Sequence, residues 1–199
     1  MKKIVIVEKI KNIREGIKIL INRFSDYDCS YTFENLNDFK EEIDNIKPDV
    51  LLIDLEHKGI SVIDEIKQLK LRNPELLIVM LTMNEENEKI FDALSNGAIA
   101  YIHKNAPSQK LMKLLEDVVA GKTIINSLIA RKTIKFISDK KINGSYQKEE
   151  LKLLQKVTEG NNLFAIEKSL KMSIDEIKIN FRRIFEKLFE LSKNEVVRI

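Results

Sequence analysis

The sequence PDVLLIDL (residues 48–55) gives the clearest indication of the fold class. Its apolar run, Val50–Ile53, leads directly into the carboxylate of Asp54. A short, continuous apolar run of this kind is typical of a strand buried on both faces of a parallel sheet. Similar runs lie on either side of it in the chain, at Ile4–Val7, Cys29–Phe33, Leu77–Leu81 and Ala100–Ile102.

Segments with helical periodicity separate these apolar runs. They lie near residues 12–23, 37–45, 61–71, 85–95 and 108–120. The alternation of strands and helices predicts an α/β fold with a doubly wound, five-stranded parallel sheet. Ligand sites in such sheets lie at the carboxyl ends of the strands. The polar residues at these ends are Glu8, Lys9, Asp54, Thr82 and Lys104.

The last third of the chain has no strand pattern. Ser127–Ser138 is predicted as a helix, DKKINGS (139–145) as a polar linker, and three further helices near 148–158, 162–170 and 174–190. We therefore predict an α/β domain over residues 1–122, a linker helix and linker over 123–144, and a small all-α domain over 145–199.

Composition and charge limit the classes of protein to which the chain can belong. The 199 residues are 44% hydrophobic, enough for two small cores, and the single cysteine, Cys29, suits a reducing cytoplasm. No apolar run approaches the roughly 18 residues of a membrane span, so we expect a soluble protein. Residues 1–125 sum to −3 and residues 126–199 to +6. The basic second part favours an anionic partner, although plain surface variation gives the same numbers.

The third helix of the all-α part is two-faced. Ser173 and Glu176 are spaced as a capping box that marks its start. One apolar stripe runs along the helix, and the basic or amide residues outside the stripe are Lys178, Asn180, Arg182 and Arg183. Two helices joined by a tight turn, the second carrying exposed basic groups, are what a helix-turn-helix needs to enter the major groove. An ordinary three-helix bundle with solvated lysines and arginines is the alternative.

The stretch from Lys148 to Leu191 resembles the LuxR-type helix-turn-helix of NarL/FixJ response regulators. The residues that match the family's sequence motif are Glu150, Gly160, Ile166, Leu170, Ser173, Lys178, Lys187 and Leu188. The chain departs from the family at Phe164-Ala165, at Glu176 in place of Thr, and at Asn180 in place of His. The resemblance implies a homodimer that binds double-stranded DNA, with Lys178 as a DNA contact. Arg182, Arg183 and Asn180, which the helix pattern puts outside the apolar stripe, are predicted to add to this contact.

The first 120 residues resemble a receiver domain, and the order of the two parts matches the same family. The resemblance implies that Asp54 is the acceptor of a phosphoryl group from a sensor histidine kinase. It also implies switch roles for Thr82, Lys104 and Tyr101. In receivers Mg²⁺ is held by an acidic pair after the first strand together with the acceptor Asp.

The acidic pair is altered here, because Glu8 is followed by Lys9. Glu8 and Asp54 carry two negative charges, and Lys9 and Lys104 carry two positive ones, so the pocket is predicted to be neutral without metal. We expect the Lys9 ammonium to take the place of the cation beside Asp54 and to make Mg²⁺ binding weak. The alternative is that the Lys9 stem leans outward and its head stays in water.

These residues favour a DNA-binding transcription regulator of the response-regulator type that acts independently of phosphorylation. The alternatives are a conventional Mg²⁺-dependent, phosphorylation-switched regulator and a protein-binding adaptor that has lost DNA contact. We expect no stand-alone enzyme, since the sequence has no glycine-rich phosphate loop or nucleophile–base pair. His57 and His103 have no cysteine or carboxylate cluster at ligand spacing, so neither is predicted to bind a metal.

Overall fold

The computed structural model describes residues 1–54, 62–83, 87–123 and 125–195. The chain forms two compact units. The α/β unit comprises Met1–Glu85 and Asn96–Glu116, and the helical unit comprises Glu86–Ser95 and Asp117–Ile199. The predicted domain bounds at 122 and 144 stay predictions.

A parallel sheet forms the centre of the α/β unit. Its strands in the described residues are β1 (Lys2–Val7), β2 (Tyr27–Asp28), β3 (Thr32–Phe33), β4 (Val50–Asp54), β5 (Leu77–Thr82) and β6 (Ala98–His103). The order across the sheet is β2-β1-β4-β5-β6, and β3 also pairs with β1. All pairings are parallel, which confirms the predicted fold class. Strand β4 is buried along its whole length.

The predicted second strand, Cys29–Phe33, is wrong as one continuous element. The structure has two two-residue strands, β2 and β3, on either side of Cys29. The Asn22 side chain accepts a hydrogen bond from the Cys29 amide (2.8 Å) and donates one to its carbonyl (3.2 Å). Because this side chain satisfies both backbone groups of Cys29, that residue does not extend the ladder with β1.

Helices follow the strands at the predicted places. They are α1 (Lys11–Ile21), α2 (Leu36–Ile46), α3 (Val62–Arg72), α4 (Asn87–Ser95) and α5 (Ser108–Val119). Asn35 caps α2, since its side chain accepts a hydrogen bond from the Asp38 amide. Helix α4 belongs to the helical unit although it lies between β5 and β6 in the sequence.

The helical unit adds four α-helices to α4 in the part of the chain that the structure describes, together with a short 3-10 helix at Asn143–Ser145. They are α6 (Ser127–Asp139), α7 (Lys148–Thr158), α8 (Leu163–Leu170) and α9 (Ile174–Glu195). The predicted helices are confirmed, and α9 continues five residues beyond its predicted end at 190. The capping box at its start is also confirmed: Glu176 Oε2 accepts from the Ser173 amide (2.7 Å), and the Glu176 amide donates to Ser173 Oγ (3.2 Å). Among the described helices, none combines the length and apolar character needed to cross a membrane.

Candidate functional site

Four of the predicted site residues meet at one edge of the sheet. Asp54 and Thr82 are the last residues of β4 and β5, and Glu8 and Lys104 directly follow β1 and β6. The register aligns these strand ends, and the Lys104 amide donates to the Thr82 carbonyl (2.8 Å). The side chains of Glu8, Asp54 and Thr82 are buried. The parallel sheet therefore assembles the pocket that the strand ends predict.

The ammonium of Lys104 joins the two carboxylates of this pocket. Its Nζ lies 2.8 Å from Glu8 Oε2 and 2.8 Å from Asp54 Oδ2, and the side chain is only 1% exposed. Burial opposes the ammonium charge and acts to lower the pKa of Lys104. The hydrogen bonds and Coulomb attraction to Asp54 and Glu8 outweigh this, so that pKa lies above its ordinary value. The two carboxylates and one ammonium that the structure describes here give a formal charge of −1.

Backbone contacts from the β1–α1 loop fix Glu8 in place. Its second oxygen, Oε1, accepts a hydrogen bond from the Ile10 amide (2.8 Å). Arg14, in the first turns of α1, donates from Nη1 to the carbonyls of Glu8 (2.6 Å) and Lys9 (3.3 Å). Arg14 was not among the predicted residues, and the available signal was its place in the first turn of the helix that follows the strand end. Glu8 is thus engaged through both of its carboxylate oxygens.

The expected ion pair between Lys9 and Asp54 is wrong. Lys9 is exposed and forms no ion pair with any residue that the structure describes. Adjacent residues of an extended chain point to opposite sides, so the burial of Glu8 turns Lys9 outward. Lys104 neutralises Asp54 instead. The predicted neutral pocket is therefore also wrong, because the Lys9 charge lies in solvent.

The remaining residues predicted near the pocket are placed as follows. Tyr101 is half-buried in β6, opposite Met80 of β5. His103, the last residue of β6, is half-buried, whereas His57 lies outside the described residues. Within the described ranges, no group of three or more His, Cys, Asp or Glu side chains is arranged to hold a metal ion.

The donor set of the pocket is a poor match for magnesium. Mg²⁺ demands hard oxygen ligands in near-octahedral order at short distance. The described side chains offer two carboxylates, and the Lys104 ammonium already contacts both. Lys9 stands where receivers carry a further carboxylate. The described residues therefore do not fit a magnesium site.

A second group of predicted site residues lies on α9. Its apolar stripe is buried as predicted: Ile177, Phe181, Ile184, Phe185 and Leu188. Lys178, expected outside the stripe and exposed, is only 8% exposed. Its Nζ lies 2.8 Å from Oδ2 of Asp117, which is itself buried. The expected exposure of Lys178 is wrong because a partner from the end of α5 covers it.

The other three residues differ in their surroundings. Arg182 donates from Nε to Glu186 Oε1 (2.7 Å), and Asn180 donates from Nδ2 to the Glu176 carbonyl (2.9 Å). Arg183 is exposed. A helix turns by about 100° per residue, which puts Arg183 roughly 140° around α9 from Lys178. The four predicted residues therefore do not share one exposed face.

A family comparison agrees with this architecture. Residues 4–116, which contain the parallel sheet and the strand-end pocket, match the response regulator receiver domain. The chain belongs to the response regulator receiver family.

Individual proteins resemble the chain over nearly its whole length. Oxygen regulatory protein NreC of Staphylococcus aureus is 28% identical over 205 residues, covering 98% of this chain and 94% of that protein. A Salmonella typhimurium RcsB response regulator superposes with a TM-score of 0.59 at 22% identity, over 97% of this chain and 98% of that one. RcsB from Salmonella enterica bound to promoter rprA gives 0.55 at 21% identity, over 94% and 92%. At these identities the solved structures show a shared fold.

Proposed function

We propose that the chain is a cytoplasmic, DNA-binding transcription regulator of the NarL/LuxR response-regulator type. The observation that carries the proposal is the α8–α9 pair. The turn between the two helices is short, Lys171 takes a left-handed conformation there, and a capping box starts α9. The exposed Arg183 and the cations Lys178 and Arg182 lie on that second helix. The RcsB structure with promoter DNA supports the same use of this fold.

The proposed complex is a two-fold dimer on double-stranded DNA. Two copies of α9 would read half-sites about 34 Å apart, one helical turn of the duplex. Lysine and arginine contacts to phosphate release counterions, so the logarithm of the binding constant falls linearly with the logarithm of salt concentration. This dependence separates DNA binding from a protein-adaptor role.

The test is fluorescence anisotropy of labelled promoter duplexes over a salt series. Arg183→Ala should weaken binding, and its salt slope should be shallower by about one. Arg23→Ala, which removes an exposed arginine from the α/β unit, is the matched control and should bind as wild type. Absence of salt-dependent duplex binding by wild type would favour the adaptor.

We further propose that the receiver works without phosphorylation. The supporting observation is the buried Lys104 ammonium, which pairs with both Glu8 and Asp54. Phosphorylation would turn the Asp54 carboxylate, with a charge of −1, into an acyl phosphate of about −1.5 to −2, in a pocket whose described side chains already sum to −1. Among the described residues, the cation placed against this added charge is Lys104. Transfer depends mainly on such neutralisation, so uptake at Asp54 should be very slow.

A conventional regulator, phosphorylated by a sensor histidine kinase with Mg²⁺, is the second candidate. The observation in its favour is the assembly of Asp54, Thr82 and Lys104 at one strand edge. Intact-mass measurement after incubation with acetyl phosphate and Mg²⁺ decides between the two. We expect no added phosphoryl mass on wild type. Stoichiometric uptake by wild type, lost in Asp54→Asn, would establish the conventional mechanism.

A further inference from the structure

Most charged side chains in the first three turns of α9 have ion-pair partners. The pairs are Asp175–Lys122, Lys178–Asp117 and Arg182–Glu186. Glu176 and Arg183 differ from these residues, because both are exposed and neither forms an ion pair with any residue that the structure describes. The charges of these two side chains are therefore available to a partner outside the chain.

Glu176 and Arg183 lie on one stripe of α9. They are seven residues apart, and a turn of about 100° per residue brings the two side chains to within about 20° of each other around the helix. Ile179, which is half-buried, lies between them on the same side. A rise of 1.5 Å per residue separates Glu176 and Arg183 by about 10.5 Å along the helix axis. This length is close to three base-pair steps of about 3.4 Å each.

The capping box holds the Glu176 side chain in one orientation. Its Oε2 accepts hydrogen bonds from the Ser173 amide (2.7 Å) and from Ser173 Oγ (2.9 Å). These hydrogen bonds hold the pKa of the Glu176 carboxyl below its ordinary value, so the group is a carboxylate at neutral pH. The second oxygen, Oε1, has no hydrogen bond to the described residues. A carboxylate held through one oxygen loses little further freedom when the other accepts a hydrogen bond from a ligand.

Glu176 occupies the part of α9 that a DNA-reading helix brings to the bases. It is the third residue of the helix, and recognition helices contact base edges in the major groove through their N-terminal residues. A carboxylate is repelled by phosphate, but it accepts a hydrogen bond from the N4 amino group of cytosine. An arginine such as Arg183 donates two hydrogen bonds to O6 and N7 of guanine. The two side chains therefore match different bases.

We propose that Glu176 is a specificity-determining residue that reads a cytosine, while Arg183 reads a guanine about three base pairs away. This inference rests on the proposed DNA binding and adds the base preference of α9 to it. Glu176 stands where the LuxR-type motif carries Thr. The sites that this chain prefers should therefore differ from those of its relatives at the base pair facing Glu176.

Selection of bound duplexes from a randomised library, followed by sequencing, tests the proposal. Wild type should enrich a C and a G about three base pairs apart. Glu176→Gln keeps an acceptor for the capping box but presents an amide, which pairs with N6 and N7 of adenine. Its enriched sequences should carry A in place of that C. Glu149→Gln is the matched control, because it removes an exposed carboxylate from the first turn of α7, and it should enrich the same sequences as wild type.

Fluorescence anisotropy measures the preference on defined duplexes. Changing the selected C to A should weaken wild-type binding about fivefold or more, and this comparison needs no variant protein. Glu176→Gln should bind the A-containing duplex at least as tightly as the C-containing one. Arg183→Ala should lose the preference for G and keep the preference for C. Circular dichroism of each variant verifies that the helices are retained.

The possible results distinguish the base-reading role from DNA binding itself. Identical enriched sequences for wild type and Glu176→Gln would mean that Glu176 only caps the helix, which overturns the proposal. Salt-dependent duplex binding by wild type without any enriched sequence overturns it as well, and leaves the proposed DNA binding intact. Absence of duplex binding by wild type overturns the proposed function, and the base-reading role with it.

Discussion

Replacing Lys104 with methionine should destabilise the protein strongly. The change keeps most of the apolar stem but removes the ammonium that lies 2.8 Å from both Glu8 and Asp54. Breaking a buried ion pair by removing one partner costs about 3–5 kcal/mol, because the remaining charge is left uncompensated. Protonation of one carboxyl group limits the loss, so we expect about 3 kcal/mol. For a chain of this size that corresponds to a Tm lower by roughly 10 °C.

Urea titration followed by circular dichroism measures the free energy of unfolding directly. Lys2→Met is the matched control, since it removes a lysine from a partly exposed ion pair with Asp49. Exposed pairs contribute about 0–1 kcal/mol, so this variant should stay close to wild type. Equal losses of stability in the two variants would refute the reasoning that the strand-end pocket depends on Lys104.

Magnesium provides a second measurement on the same variant. Lys104→Met frees two neighbouring carboxylates, so Mg²⁺ should bind it better than wild type. A ligand at tenfold excess over its Kd stabilises the folded state by about 1.4 kcal/mol. We expect MgCl₂ to raise the Tm of Lys104→Met and to leave that of wild type unchanged. A rise in wild type as large as in the variant would contradict the poor match between the pocket and Mg²⁺.

Two further predictions concern titration. The pKa of Lys104 is raised in the folded state, so its contribution to stability is fully present below the ordinary lysine pKa of 10.5 and is lost as pH rises through the higher folded value. The stability difference between wild type and Lys104→Met should therefore shrink above pH 10.5, as measured by urea titration at each pH. Burial raises the pKa of the Cys29 thiol to about 12, so Cys29 should resist a thiol reagent at pH 8 in the folded protein and react promptly in urea. Rapid labelling of the folded protein would show that this thiol is accessible.

The strand-end pocket was largely predictable from sequence. Parallel strands bring their carboxyl ends to one edge, so Asp54 and Thr82 had to lie together once the apolar runs were recognised. Lys9 was harder to place, because the residue after a strand end has no fixed side of the sheet. Its neighbour Glu8 takes the buried side, held by the Ile10 amide and Lys104. The sequence shows that residue 9 is positively charged, but it does not show to which side of the sheet its side chain points.

The surroundings of α9 were less predictable. Helical periodicity identified the buried stripe and the start of the helix, because both depend on spacing within about twenty residues. The partner of Lys178 is 61 residues away in the chain, and no local pattern links Asp117 to it. The broken second strand has a similar explanation, since a side-chain amide at Asn22 replaces the ladder hydrogen bonds of Cys29. Hydrophobic periodicity does not predict ion pairs between residues far apart in the chain. It also does not predict where one side chain replaces a backbone hydrogen-bond partner.

Helix α4 has a consequence for how the protein can be cut into fragments. Its Phe91 ring lies 6.0 Å from that of Phe136, and Glu88 pairs with Lys132 of α6 (2.9 Å). A fragment ending at residue 116 keeps α4 but strips away both of these partners. Such a truncation exposes an aromatic side chain and should self-associate more readily than the whole chain. The intact polypeptide is therefore the right material for biochemistry on either half.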